Sequence, residues 1–320
     1  MSLLVSKEGI LTTVQDLGRY GFRFFGVNPS GVMDRSAARI VNIILGNDEN
    51  AALIELHFPA GEFLFEAETH FALGGADFSP ELSNTCVPLW TTGQARGGDV
   101  LKFRKKRAGN RAYLAVAGGF HVDKWLDSAS TSLVTGMGGF NGRRILFGDH
   151  IPFKPVNSSN KWSNLRIGNS LIPAYSSSPK LRITAGPEFD MLTGIGQQHF
   201  LSGQFVVSPE SNRMGFRLQG PSITRLTESE ILSSGTTFGT VQLLPDGQLI
   251  VLMADHQTTG GYPRIATITA VDLPLIAQLG SGDEISFELI DLEAAENLLL
   301  DLERDIAFLK TGLRLRRGAL

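Results

Sequence analysis

Between residues 52 and 153 the chain repeats one local pattern. Apolar side chains fall on alternate positions for four or five residues, and the run then breaks at Gly, Asp, Asn or Pro. The runs are Leu53-Ile54-Glu55-Leu56, Glu62-Phe63-Leu64-Phe65, His70-Phe71-Ala72-Leu73, Val87-Pro88-Leu89-Trp90, Val100-Leu101-Lys102-Phe103 and Ala112-Tyr113-Leu114-Ala115-Val116. A period of two puts successive side chains on opposite faces of a strand. Short runs with frequent breaks predict an antiparallel barrel or sandwich. The 36 glycines and 20 phenylalanines suit many tight turns between short, apolar strands.

The flanking sequence changes period. Residues 3–14 read as strand, turn and strand. Asp34 is a good N-cap for a helix over 35–45, whose Ala37, Ile40, Val41 and Ile44 recur at helical spacing before Gly46. Arg35 and Arg39 are expected on its solvated side. A second β-rich half follows, with strands expected at 181–184, 205–208, 216–219, 241–243, 249–254, 265–269 and 284–290. Helices are expected at 189–200, 272–278 and 291–310, and the basic tail beyond 310 is expected to fray. Residues 155–179 are rich in Ser, Asn and Pro. The expected organisation is therefore an N-terminal β-barrel-like domain (1–155), a linker (156–179) and a C-terminal barrel with a terminal helix (180–320). A pattern Q-x-x-x-G-D-x-[LI]-x-F occurs at 94–103 and again at 278–287. It favours duplication of one barrel-like unit.

Composition removes several classes of function. A net charge of -3 offers no basic surface for nucleic acid. No window reaches 18 apolar residues, so no membrane span is expected. The first residues lack the apolar core of a signal peptide, and a cytoplasmic location is expected. The single cysteine, Cys86, forbids an internal disulfide or a cysteine zinc site. Six histidines are scattered without H-x-x-x-H spacing, so no metal site is expected. G-x-S-x-G and the P-loop motif are absent. The glycine-rich stretch at 136–142 lacks the strand-then-helix setting of a dinucleotide fingerprint.

Three stretches carry candidate chemistry. In residues 250–268, two strand-like runs enclose Asp255, His256, Gln257, Thr258, Thr259, Gly260, Gly261, Tyr262, Pro263 and Arg264. Asp255 or His256 has acid–base chemistry, the threonines can donate hydrogen bonds, and Gly260-Gly261 permits close backbone approach. The same groups would equally serve a hairpin whose polar atoms satisfy one another. In residues 211–218, an extended backbone would put Asn212, Met214, Phe216 and Leu218 on one face. Arg213 and Arg217 would then flank Gly215 on the other, as a clamp for carboxylate or phosphate or as solvated arginines. In residues 15–20, Asp16 and Arg19 have the makings of a structural ion pair.

Four blocks, residues 12–47 (TTVQDLGRYGFRFFGVNPSGVMDRSAARIVNIILGN), YLAVAGGF, SNRMGFRLQGPSI and VQLLPDGQLIVLMADHQTTGGYPRIATI, make the chain resemble the allophanate hydrolase subunit 2 / KipA-like family over residues 4–287. The likeness is greatest to its bacterial 5-oxoprolinase members, the C components of that enzyme. The resemblance implies a mainly β fold with a few helices and two cyclophilin-like β-barrel domains. It implies cleavage of a small lactam, 5-oxo-L-proline, to L-glutamate. ATP would be the co-substrate, with no tightly bound cofactor. The implied partners are the other two components of 5-oxoprolinase, a KipI-like B component and a separate A component. Catalytic roles are then expected of Asp255, His256 and Arg213. Substrate contacts are expected of Arg217, Asn212, Gln257, Thr258, Thr259, Gly260, Gly261, Tyr262, Asp16 and Arg19. Two other routes occur among such proteins: a urea or allophanate pathway beside a biotin-bearing partner, and a regulatory module that antagonises a kinase inhibitor.

Overall fold

A computed structural model describes residues 1–154, 165–168, 171–227 and 231–317. The chain divides into two compact units. One comprises Met1–Arg19, Ser30–Ala174 and Arg304–Leu320, and the other Tyr20–Pro29 and Tyr175–Glu303. Of the stretch expected as a linker, 156–179, residues 156–164 and 169–170 lie outside the described residues. Of its described part, Leu165 and Ile167 are buried in the first unit, where Leu165 N donates to Thr92 Oγ1 at 3.0 Å.

In the first unit the alternating runs form two sheets. One has six strands, in the order His150–Pro152, Ser2–Lys7, Glu62–Phe65, Val100–Phe103, Pro80–Leu82 and Thr85–Cys86. The other has five: Thr12–Gln15, Leu53–His57, Ala108–Val116, Thr69–Asp77 and Thr92–Ala95. The inward positions of both, among them Leu3, Val5, Ile54, Phe63, Phe65, Phe71 and Leu114, form one core. Each such side chain contributes about 1.5–3 kcal/mol by leaving water. The helix Arg35–Leu45 forms as its spacing predicts. Asp34 accepts from Ala37 N at 2.9 Å, and Gly46 ends it in a left-handed conformation. Gly74 lets the helix approach the sheet, since a Cβ there would meet Val41 Cγ1 at 2.6 Å.

Three local expectations fail here for physical reasons. Residues 87–90 are not a strand: Pro88 has no N–H to donate, and Trp90 is left-handed with φ 60. The strand lies just beyond, at Thr92–Ala95. Arg39 is not simply solvated, because it pairs with Glu49. The last helix runs Leu292–Arg317, well past residue 310, because Leu313 is buried and Lys310 pairs with Glu49.

In the second unit seven strands close into a barrel. The order is Lys180–Ala185, Arg264–Ile268, Thr240–Leu243, Leu249–Leu252, Gly215–Gln219, Phe205–Val207 and Glu284–Leu289. A parallel pairing of the last with the first completes it. Phe200, Phe205, Phe216 and Phe287 fill the interior with Leu181, Val241, Leu249 and Val251. The mainly β, barrel-containing architecture is thus present, with four α-helices among the described residues. The expected helix over 189–200 is instead a short turn, Phe189–Met191, and a helix, Gly194–Ser202, capped by Thr193.

The repeated Gln…Gly-Asp pattern adopts the same geometry twice. Gly98 and Gly282 have φ 95 and 88. Asp99 accepts from Arg96 N and Asp283 from Gly280 N, at 2.8 and 2.7 Å. Each turn exchanges two backbone hydrogen bonds with a neighbouring strand end, Phe65 in the first unit and Val207 in the second.

Candidate functional site

The strongest candidate lies on the outer face of the second unit's barrel. Phe216 and Leu218 point inward, so the residue between them, Arg217, points out. Register places Arg217 beside Ile250, Ile250 beside Gln242, and Gln242 beside Arg264. Val241 and Leu243 pair with Val251 and Leu249 on the inner face, which fixes Gln242 as outward. It is nevertheless only 1% exposed, because the segment around Gly260–Tyr262 covers it.

Above this row is a cavity of about 390 Å³. Ile250, Leu252, Met214, Leu244 and Pro245 make it apolar, and Arg217, Gln242, Asp246, Gln257 and Tyr262 supply the polar groups. Gly215 leaves room for the floor, since a Cβ there would meet Ile250 Cδ1 at 2.7 Å. Arg217 is half exposed and lies 3.6 Å from Glu210, an open contact of little energetic weight. Gln242 Nε2 faces the Tyr262 carbonyl at 3.4 Å. Among the described residues no protein donor reaches its Oε1. A cavity with an apolar floor and a few convergent polar groups is the usual form of a small-molecule site.

The remaining predicted residues of this unit sit around the cavity rather than in it. Arg213 and Arg217 do not form a clamp. The strand begins at Gly215, and Asn212 holds a turn ahead of it by accepting from Met214 N at 2.8 Å. Alternation therefore stops before Arg213, and Met214 joins Arg217 at the cavity instead of Phe216 in the core. Arg213 is buried, with Nε and Nη2 bound to the two carboxylate oxygens of Asp255 at 2.8 and 3.2 Å. Backbone bonds from Asp255 N to Arg213 O and from Met253 N to Met214 O lock the two segments together. Asn28 Nδ2 donates to the Asp255 carbonyl at 3.0 Å, and Arg23 to that of Thr236. Asp255 thus anchors Arg213 and the loop that carries it.

His256 is 2% exposed, and its Nδ1 lies 2.6 Å from the Gln257 carbonyl, to which it donates. Burial lowers its pKa, and the charge of Arg23 adds to the effect; the hydrogen bond to Gln257 and the nearby Asp255 oppose it. Thr236 Oγ1 also donates to the Gln257 carbonyl, at 2.7 Å. Thr259 and Gly260 pair with Gly235 and Ser234 in a small separate sheet, and Thr258 O accepts from Thr236 N. Gly261 and Tyr262 are exposed.

Asp16 and Arg19 belong to the first unit, and the expected ion pair between them does not form. Asp16 Oδ1 accepts from Gly18 N, Ser128 Oγ and Ser130 Oγ at 2.6–2.8 Å, and Oδ2 from Ala129 N at 2.6 Å. These neutral donors, most of them brought from more than a hundred residues away, complete the carboxylate's shell. Arg19 donates to the Ser130 carbonyl and stacks over Trp125 at 4.8 Å. Gly138 makes room for it, since a Cβ there would come within 3.1 Å of Nη2.

Sequence reasoning found Arg217, Gln257 and Tyr262 of this cavity and missed Gln242, Met214, Leu244, Pro245 and Asp246. Gln242 had a legible signal: a lone amide between Val241 and Leu243 in a strand must face away from the core. No group of three or more His, Cys, Asp or Glu suited to a metal occurs among the described residues. No described helix is long and apolar enough to cross a membrane.

Comparison with known proteins gives a consistent picture. Residues 25–289 match the family model for the carboxyltransferase domain, subdomain A and B. The chain is 38% identical over 304 residues to the C component of 5-oxoprolinase from Escherichia coli, covering 94% of this chain and 96% of that one. It is 31% identical to urea amidolyase of Saccharomyces cerevisiae, over 98% of this chain but 18% of that much longer one. The crystal structure of Kluyveromyces lactis urea amidolyase superposes with a TM-score of 0.90 at 27% identity, over 96% of this chain and 20% of that one.

Proposed function

The chain belongs to the carboxyltransferase-domain family of subdomains A and B, and from that premise we propose that it is the C component of an ATP-dependent 5-oxoprolinase. The reaction is hydrolysis of 5-oxo-L-proline to L-glutamate, carried out together with the A and B components of the enzyme. Likeness to the E. coli protein along nearly the whole of both chains supports this reading. The observation that carries it is the cavity over Arg217.

A lactam acid is small, has one carboxylate and one cis amide, and is otherwise hydrocarbon. The cavity offers a guanidinium for the carboxylate, amide and phenol groups from Gln257 and Tyr262 for the lactam, and an apolar floor for the ring methylenes. Arg213, Asp255 and His256 act behind this wall. The buried Arg213–Asp255 pair positions Met214 and the entry to the Arg217 strand. His256, uncharged near neutral pH, holds the Gln257 carbonyl and so sets where that side chain emerges.

A lactam resists water because its nitrogen shares its lone pair with the carbonyl. Transfer of a phosphoryl group from ATP to the lactam oxygen removes that protection. The lining residues hold one guanidinium, Arg217, which lies 3.6 Å from Glu210 and shares the lining with the Asp246 carboxylate. That suits a carboxylate and not a triphosphate, so ATP is assigned to the assembled complex rather than to this cavity. The soluble complex is placed in the cytoplasm.

The similarity to urea amidolyase favours a second reading, in which the same cavity takes urea or its carboxylated product. Both are tested in one experiment: the chain is combined with its two partner components, and ATP hydrolysis is followed with oxoproline, urea and allophanate in turn. Oxoproline-dependent turnover that falls on Arg217→Ala is expected. Turnover with urea or allophanate instead selects the second reading, and no turnover with any of them rejects both.

A further inference from the structure

We infer that Gln242 is the residue that selects for an amide N–H in the cavity, accepting it on Oε1. The inference rests on the cavity being the substrate site. Gln242 is 1% exposed, stands at the centre of the outer row and lines the cavity. Its side-chain amide is oriented from behind. Nε2 faces the Tyr262 carbonyl at 3.4 Å and lies against Gly260, where a Cβ would come within 2.7 Å of it. With the nitrogen held on that side, Oε1 turns the other way. No protein donor meets it among the described residues.

Oε1 opens onto the cavity, and a ligand that displaces water there leaves this acceptor in need of a donor. A ligand that offers N–H in that direction meets the need, and one that offers an oxygen lone pair makes it worse. The neighbouring groups fix what else the ligand must carry. Arg217 and Gln242 flank Ile250 from the strands on either side, so an anion at Arg217 and an N–H at Gln242 are separated by the width of two strand spacings, about 10 Å between backbones and less between converging side chains. A five-membered lactam acid has its carboxylate and its ring N–H on adjacent atoms and its hydrocarbon edge opposite, over Ile250 and Leu252. Urea shares the N–H but lacks the carboxylate, so the two sources separate at Arg217. Gly260 enters the same argument. Each of the three nearest neighbours of a Cβ at 260 is a side-chain atom, and the one under 3.0 Å is the free end of Gln242. Adding that methyl moves the amide before it moves the fold.

The test is calorimetric binding to the full chain of three probes: 5-oxo-L-proline, the γ-lactone acid that replaces its ring N–H by oxygen, and urea. The wild-type chain should prefer lactam over lactone by at least about tenfold. Gln242→Leu should abolish the preference, weakening the lactam and leaving the lactone bound no more weakly than in the wild type. Gly260→Ala, with a melting temperature near wild type, should reduce the preference in the same direction. Arg217→Ala should weaken both acids alike and keep their ratio. Urea that binds and is lost on Gln242→Leu but not on Arg217→Ala supports the same role with a different source of N–H. A lactam-to-lactone ratio unchanged in Gln242→Leu overturns the inference. Where that variant does not fold, the same result in Gly260→Ala overturns it. If none of the probes binds the wild-type chain, or Arg217→Ala affects neither acid, the cavity reading fails instead.

Discussion

Asp16 in the first unit and Asp255 in the second are both buried acids just beyond the end of a strand, and each has an arginine nearby in sequence or space. They are stabilised in opposite ways. Asp16 sits among four neutral donors from Gly18, Ser128, Ala129 and Ser130, and its nearest arginine in sequence is turned onto Trp125. Asp255 is paired with a guanidinium, Arg213, whose Nε and Nη2 donate to its two carboxylate oxygens. A shell of neutral dipoles distributes the work over many weak bonds, so losing one leaves most of it intact. A buried ion pair concentrates it in one partner, whose removal leaves an uncompensated charge. The difference also separates anchor from reader. The arginine spent on Asp255 is unavailable to a ligand, and Arg217, four residues on, remains open.

The largest expected effect tests that concentration. Arg213→Ala should cost about 3–5 kcal/mol of stability in a denaturant melt. A loss near 1 kcal/mol would mean that Asp255 is shared among other donors, as Asp16 is. Asp16→Asn should cost less, about 1.5–3 kcal/mol, because it replaces one accepting oxygen by a donor facing the Ala129 N–H. Ser128→Ala, which removes one neutral donor, should cost only about 1 kcal/mol. If Ser128→Ala matched Arg213→Ala, the distributed shell would be the wrong description.

The next effect is a pH dependence. Burial, with Arg23 beside it, holds His256 below its ordinary value of 6.5 in the folded chain. As pH falls through 6.5 the unfolded chain takes up this proton first, so folding stability declines from there down to the lowered folded value and then levels off. His70 is also lowered by burial, so the measurement is the difference in slope between wild type and His256→Gln. The wild type should lose more stability between about pH 7 and 5, and equal slopes would show that His256 titrates normally. The smallest stability effect belongs to Arg217→Ala, within about 0.5 kcal/mol of wild type because the side chain is half exposed. Ligand binding should fall all the same. A large loss of stability would make Arg217 a structural residue like Arg213.

The difference between these regions explains what was legible beforehand. The helix from Asp34 to Gly46 was readable in full, because cap, period and stop are all local. So were the strands Glu62–Phe65 and Val100–Phe103 and the paired Gly-Asp turns, where a left-handed glycine and an aspartate reaching back three residues fix the conformation within a few positions. The strand expected at 87–90 failed because alternation by itself does not weigh a proline that cannot donate. The cavity was half legible. Arg217, Gln257 and Tyr262 were found as polar residues in conspicuous stretches. Gln242, in an ordinary-looking strand, was not found, since its neighbours Arg217 and Ile250 come from other strands.

Taken alone, the sequence determined the mainly β class, the helix and turn boundaries with local signals, and the family to which the chain belongs. Each depends on periodicity, backbone restriction or long matching blocks that survive without three-dimensional context. Only the tertiary structure decided the partners of the buried charges. An arginine's side chain reaches several ångströms in any direction, and which carboxylate or carbonyl it meets depends on strand register and on where alternation stops. That is why Arg213 and Arg217, indistinguishable in the string RMGFR, became an anchor and an open cation. It is also why Asp16 and Arg19, three residues apart, ended with different partners.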